Sequence, residues 1–63
     1  MARSFRICRE RRTRAGIALK PVDSPFAPGA EMVVHAESTE RALANARAVL
    51  VDTRNLVAIP LEN

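Results

Sequence analysis

Tryptophan and tyrosine are absent from this 63-residue chain, and Phe5 and Phe26 are its only aromatic residues. Proteins that hold single-stranded nucleic acid normally stack bases on exposed rings, so this chain has little with which to read bases. Cysteine occurs once, as Cys8, and histidine once, as His35. An intrachain disulfide is excluded, and a structural zinc site, which needs four ligands, finds two soft ones. No metal or cofactor is expected. Gly16 and Gly29 are the only glycines and stand apart, which excludes a glycine-rich phosphate loop. Asp23, Ser24 and His35 form no nucleophile motif, and the scattered acids show no paired-carboxylate spacing. A chain this short also has little room to brace a preorganised site, so a non-enzymatic protein is expected. No apolar run is long enough to cross a bilayer, and residues 1–15 hold no continuous apolar stretch of the secretory kind. With a single cysteine suited to a reducing compartment, these absences point to a cytoplasmic protein without a membrane partner.

What the chain has in excess is arginine, nine residues against one lysine. Six of them, Arg3, Arg6, Arg9, Arg11, Arg12 and Arg14, fall in the first fourteen positions. Residues 1–30 carry seven basic and two acidic groups, a net +5, whereas residues 31–63 carry three arginines and five acids, a net −2. A GC-rich genome alone favours arginine over lysine. The functional alternative is that guanidinium forks grip phosphates or carboxylates in pairs of hydrogen bonds.

Sixty-three residues make a single domain, 1–63. A chain of this length hides only about 60% of the surface its unfolded form exposes. Lacking disulfide and metal, it is expected to draw support from self-association or from docking on a larger partner.

The pattern along the chain predicts an α+β fold. Ser4–Arg9 alternates, with Phe5 and Ile7 on one face and Ser4, Arg6 and Cys8 on the other, the period of a half-buried strand. Arg11–Gly16 reads as a turn and Ile17–Val22 as a second strand, giving an arginine-rich hairpin over residues 3–22. Pro21 suits a strand end or edge, having no N–H for a ladder. Two prolines and a glycine make Asp23–Gly29 a loop, here bounded as 23–30. A strand-helix-strand unit over 31–61 follows, beginning with strand Glu31–Ala36. Ser38 is placed to cap a helix by accepting the Arg41 N–H, with Glu37 and Glu40 near the positive end of the helix dipole. Ala42, Leu43, Ala46, Val49 and Leu50 repeat along one helical face. Trimming Leu43 or Leu50 to alanine is expected to cost about 2–5 kcal/mol. Asn55 can take a left-handed turn that ends the helix, and Leu56–Leu61 is the last strand, with Pro60 at its end. The expected architecture is a two-layer β-β-β-α-β domain, an antiparallel sheet with one amphipathic helix packed on one face.

Pro28–Gly29 followed by Ala36–Leu50 (AESTERALANARAVL) resembles the N-terminal module of HicB-type antitoxins. Ser38 matches that family's helix cap, Glu40 a helix acid, and Ala42, Leu43 and Ala46 its packing face. The resemblance covers about half the chain. It implies a β-β-β-α-β fold and neutralisation of a small ribonuclease toxin. In general character, tiny and without catalytic motifs, the chain is also similar to small phage-encoded anti-CRISPR inhibitors.

The candidate site is therefore Arg6, Arg9, Arg11, Arg12 and Arg14, five arginines within nine residues, for an anionic partner. The plainer reading is a solvated hairpin that guards a sheet edge. Phe26, between Pro25 and Pro28, is either an interface anchor or a cap folded over the core. Cys8 and His35 read as structural. The expected partner is a larger protein or ribonucleoprotein, with nucleic acid itself as an alternative and a homodimer through a strand edge as a further one. Replacing Arg9, Arg11, Arg12 and Arg14 together by alanine is expected to leave the fold intact and to abolish binding.

Overall fold

Phe5 and Ile7 need a cover that water does not provide, and the rest of the chain is arranged around supplying it. The computed structural model describes residues 2–61. The elements run β1 (Arg3–Thr13), β2 (Gly16–Pro21), β3 (Val33–Ala36), α1 (Thr39–Val49) and β4 (Leu56–Pro60). They form a small α+β domain, a four-stranded antiparallel sheet with one helix.

All three other strands pair with β1. Phe5 lies opposite Val34 of β3 and Pro60 of β4, so those two strands occupy opposite edges. Cys8 lies opposite Pro21 of β2 and Val57 of β4. β2 and β3 therefore follow one another along the same edge of β1, and β4 holds the other. The handover falls at Ile7. Its N–H donates to Met32 O at 2.9 Å, and its carbonyl accepts the Val22 N–H at 3.0 Å. The Met32 N–H donates to Val22 O at 3.0 Å, closing a neck beneath the loop.

Beyond that neck the chain makes a small lobe. Asp23 bridges Glu31, and the Ser24 N–H donates to Ala30 O at 2.8 Å. Pro28 and Gly29 occupy the centre of a tight turn in which the Ala30 N–H donates to Ala27 O at 3.0 Å. Gly29 has φ +86° there, the value a type II turn demands at its third position, which a Cβ would resist. Expected as a strand from Glu31, β3 in fact starts at Val33, because Glu31 and Met32 belong to the neck.

The first turn is shorter than the arginine run implies. β1 continues to Thr13 and pairs Thr13 with Gly16, leaving Arg14 and Ala15 as the connection. Gly16 takes the positive φ, +128°, and Thr13 Oγ1 donates to Gly16 O at 3.0 Å. Arg11, Arg12 and Thr13 carry no apolar period of their own; their strand conformation comes from ladder pairing with Ala18, Ile17 and Gly16.

Ser38 caps α1 as its position implies: it is extended and accepts the Arg41 N–H at 3.2 Å. The helix lies against β1, β3 and β4 but not β2. Phe5, Ile7, Met32, Ala36, Ala42, Ala46, Leu56 and Ala58 form the core, with Val22, Val34, Leu43 and Leu50 packed against it. Ala42 and Ala46 are the fully covered helix positions, whereas Leu43 and Leu50 are half-buried. Small residues at the contact let the helix backbone approach the sheet closely, so the larger side chains sit at its margins. Val49 is exposed, contrary to its place in the stripe. The helix ends there, with Leu50 extended, and the left-handed Asn55 (φ +55°) lies instead in the turn that leads into β4.

Because α1 does not reach β2, the distal β1–β2 hairpin projects as an arm. Every β2 residue is exposed, as are Arg11–Thr13. The molecule measures 38 × 25 × 19 Å, and its 11.6 Å radius of gyration exceeds the roughly 10.6 Å of a compact 63-residue domain.

A domain this size has a total stability of about 3–9 kcal/mol. Phe5→Ala, at the fully buried centre, removes about 3–5 kcal/mol, a third or more of that stability. Leu43→Ala, half-buried, falls at or below the lower end of the range expected from sequence. Ala46→Leu overpacks the helix–sheet contact and costs about 1–3 kcal/mol. Urea denaturation followed by circular dichroism orders the three variants.

Candidate anion-binding arm

The five candidate arginines do not form one patch. Alternation along β1 puts Arg9 and Arg11 on the helix side of the sheet with Phe5 and Ile7, and Arg6 and Arg12 on the opposite side with Cys8. Arg14 lies in the turn.

Two of them are engaged by the fold. Arg6 Nε lies 2.7 Å from Glu31 Oε2, a close charge contact whose N–H is not aimed along a hydrogen-bond line. It ties β1 to the base of the 23–31 lobe. Arg9 is more deeply committed. Its Nη2 donates to Asp52 O at 2.8 Å, its Nη1 donates to Arg54 O, and Nη1 lies 3.3 Å from Asp52 Oδ1. The Glu10 N–H adds a backbone bond to Asn55 O at 2.8 Å. Arg9 thus fastens the turn between α1 and β4 to the centre of the sheet, and removing it together with the tip arginines would not leave the fold undisturbed.

Asp52 organises the same turn from within. Oδ1 accepts the Arg54 N–H and the Arg54 Nε–H, each at 3.1 Å, and Oδ2 accepts from Nη2 at 3.2 Å. These bonds, with Arg54's side chain the largest contributor and its backbone N–H next, hold the Asp52 carboxyl down from 3.8 to about 2. Arg54 is raised in return. Sequence reasoning gave no role to Asp52 or Arg54. The only signal was local: an Asp two residues before a backbone N–H can close an Asx turn.

Arg11, Arg12 and Arg14 remain. All three are exposed, and none of their side chains has a hydrogen-bond or ion-pair partner among the described residues. Lys20, opposite Arg9 on β2, adds a fourth cation to the arm. Between the arm and the 52–55 turn lies an open cleft of about 900 Å³, whose walls include Arg9, Arg11, Arg12, Lys20, Asp52 and Arg54. Guanidinium groups held out on a two-stranded ribbon can meet phosphates or carboxylates without first breaking internal pairs.

The remaining candidates are simpler. Phe26 is 79% exposed and does not fold over the core. Its N–H donates to Ser24 Oγ at 3.2 Å, which sets the backbone of the lobe. His35 Nδ1 lies 3.0 Å from Ser4 Oγ across the β1–β3 pair. Cys8 is buried and unpaired. Among the described residues no three His, Cys, Asp or Glu side chains gather as a metal site, and no helix is long and apolar enough to cross a membrane.

Because Asp52 is depressed in the folded chain, its contribution to stability is present above about pH 4 and is lost as pH falls toward 2. Urea midpoints measured between about pH 5 and pH 2 fall for the wild type, and Asp52→Asn falls less over that window. At neutral pH, Arg9→Ala lowers the urea midpoint, whereas Arg11→Ala, which breaks no internal pair, leaves it within about 0.5 kcal/mol of wild type.

Comparison with models of protein families, with curated proteins and with solved structures finds no match.

Proposed function

We propose that this chain is a non-enzymatic binding protein that docks through its arginine arm on a larger, nucleic-acid-handling partner, a protein or ribonucleoprotein, and blocks or modulates it. The observation that carries this reading is the state of Arg11, Arg12 and Arg14. Among the described residues their side chains are unpaired cations at the end of a hairpin whose two faces no other element covers. Solubility alone does not call for cations concentrated on one projecting element, and Arg6 and Arg9 show that the fold pairs arginines where acids are in reach. The anion met by the arm is then a phosphate carried by the partner or an acidic patch of its surface. Phe26, stiffened between two prolines and exposed, is suited to serve as an apolar anchor beside the charged contact.

Direct nucleic-acid binding is the second reading, favoured by the shape of the arm. A two-stranded ribbon fits the major groove of a duplex, and this one carries arginines on both faces and at its tip. The antitoxin reading rests on Pro28–Gly29 and the helix residues Ser38, Glu40, Ala42, Leu43 and Ala46. A ribonuclease cleft attracts phosphate by positive charge, and an arm of the same sign is poorly matched to it.

Affinity capture from a bacterial lysate with tagged wild type and with the Arg11→Ala/Arg12→Ala/Arg14→Ala variant tests the proposal, with and without nuclease treatment. A partner retained by the wild type but not by the triple variant, with circular dichroism unchanged, supports it; equal retention reduces the arginines to a solvated surface. Binding to random duplex and single-stranded oligonucleotides over a salt series separates the second reading. There the triple variant lowers the salt slope by about 2–3, near 0.7–0.9 for each phosphate no longer neutralised.

A further inference from the structure

The helix covers one face of the sheet, and the other face is left with a pattern that matches itself. Alternation and register place Ile17, Leu19 and Pro21 of β2, Val33 of β3, Val57 and Ile59 of β4, and Leu61 just beyond it, on the face away from α1. Ile17 is 63% exposed, Leu19 49%, Val33 45% and Leu61 38%. Down the middle, β1 presents Ser4, Arg6, Cys8, Glu10 and Arg12. Exposed apolar side chains thus flank a central polar and charged row on both sides.

Two quantities indicate what covers it. A compact monomer of this 6.9 kDa mass exposes about 4,000 Å², whereas this chain exposes 4852 Å². The excess, about 850 Å², is spread over the projecting arm as well as this face, so it bounds the area a partner can cover, against the roughly 800 Å² that each partner contributes to a standard stable interface. The order of charges is the second. A two-fold axis lying between two facing sheets, across the strands at Cys8, brings position 6 of one copy over position 10 of the other. Arg6 then meets Glu10 and Glu10 meets Arg6. The same operation sets Val33, opposite Arg6 in register, over Leu19, opposite Glu10. One charged pair and one apolar pair are thus matched by one rotation, as an isologous contact requires, while the same rotation sets Arg12 over Ser4 and Ile17 over His35.

We infer that a second copy of this chain covers the face: the protein is a two-fold dimer, sheet to sheet, with β1 strands antiparallel and Cys8 near the axis. The two helices then lie outside, and the two arginine arms point in opposite directions at the ends of the dimer. The inference is independent of what the arms bind.

Sedimentation equilibrium and light scattering on the full chain, at concentrations up to about 100 μM, lie above the micromolar limit for interfaces of this size. The expected mass is twice 6.9 kDa; a monomer throughout overturns the inference. Leu19→Lys/Val33→Lys changes two exposed side chains, and it is expected to give a monomer with unchanged circular dichroism. Val49→Lys, exposed on the helix, leaves the dimer intact and serves as the control. A dimer that survives Leu19→Lys/Val33→Lys is held elsewhere, for instance at a strand edge, and also overturns it. Charge reversal tests the axis. Glu10→Arg raises the dissociation constant about tenfold or more by creating two like-charge contacts per dimer, and Arg6→Glu/Glu10→Arg recovers most of that affinity. If the double reversal is no better than the single one, the axis does not pass at Cys8.

Discussion

The two backbone polar groups of Ile7 point to the same edge of the sheet but bond different segments, the N–H giving to Met32 and the carbonyl receiving from Val22. An unpaired N–H or carbonyl at that buried position would cost about 1–3 kcal/mol. Satisfying both there allows β2 to leave the edge and β3 to take it over without a gap. β1 is thereby paired along both sides in its apolar portion, Phe5 and Ile7 are held under the helix, and the segment between Val22 and Met32 is free to form a separate lobe.

Much of this was legible in residue order. The alternation around Phe5 and Ile7 marked the central strand and its buried face. Ser38 marked the helix start, and Pro21 and Pro60 marked strand ends. Local pattern did not show that β1 would extend through Arg11–Thr13, because that conformation is imposed by the partner strand. Nor did it show that β2 and β3 share an edge, which depends on bonds between residues far apart in sequence. Val49 satisfied the helical period yet fell outside the contact, since periodicity locates a face and says nothing of where the helix will stop. Phe26 was as consistent with core as with surface until the neck at Val22 and Met32 carried its loop away from the helix.

The arginine cluster reads differently once the strands are in place. A run that is dense in sequence is divided by the pleat into two faces and a tip, and its members serve different ends. Arg6 and Arg9 are structural, each tying a loop to the central strand through an acid or a carbonyl. Arg11, Arg12 and Arg14 are left over. Composition measured how much charge was present, but only the register separates charge the fold uses from charge it leaves available.

The pairing of Phe5 with Pro60 also fixes the order in which the molecule can form. The β1–β2 hairpin joins neighbours in sequence and can form early, but alone it is marginally stable in water. Phe5 and Ile7 of β1 gain a cover only when α1 arrives, and the far edge of β1 stays open until β4 has been made. Closing so long a loop is slow relative to local pairing. Until then β1 has an unpaired edge and uncovered apolar side chains. The charged residues that β1 interposes along that strand, Arg6, Arg9, Glu10, Arg11 and Arg12, are the kind of gatekeepers that keep such an intermediate from pairing with its neighbours.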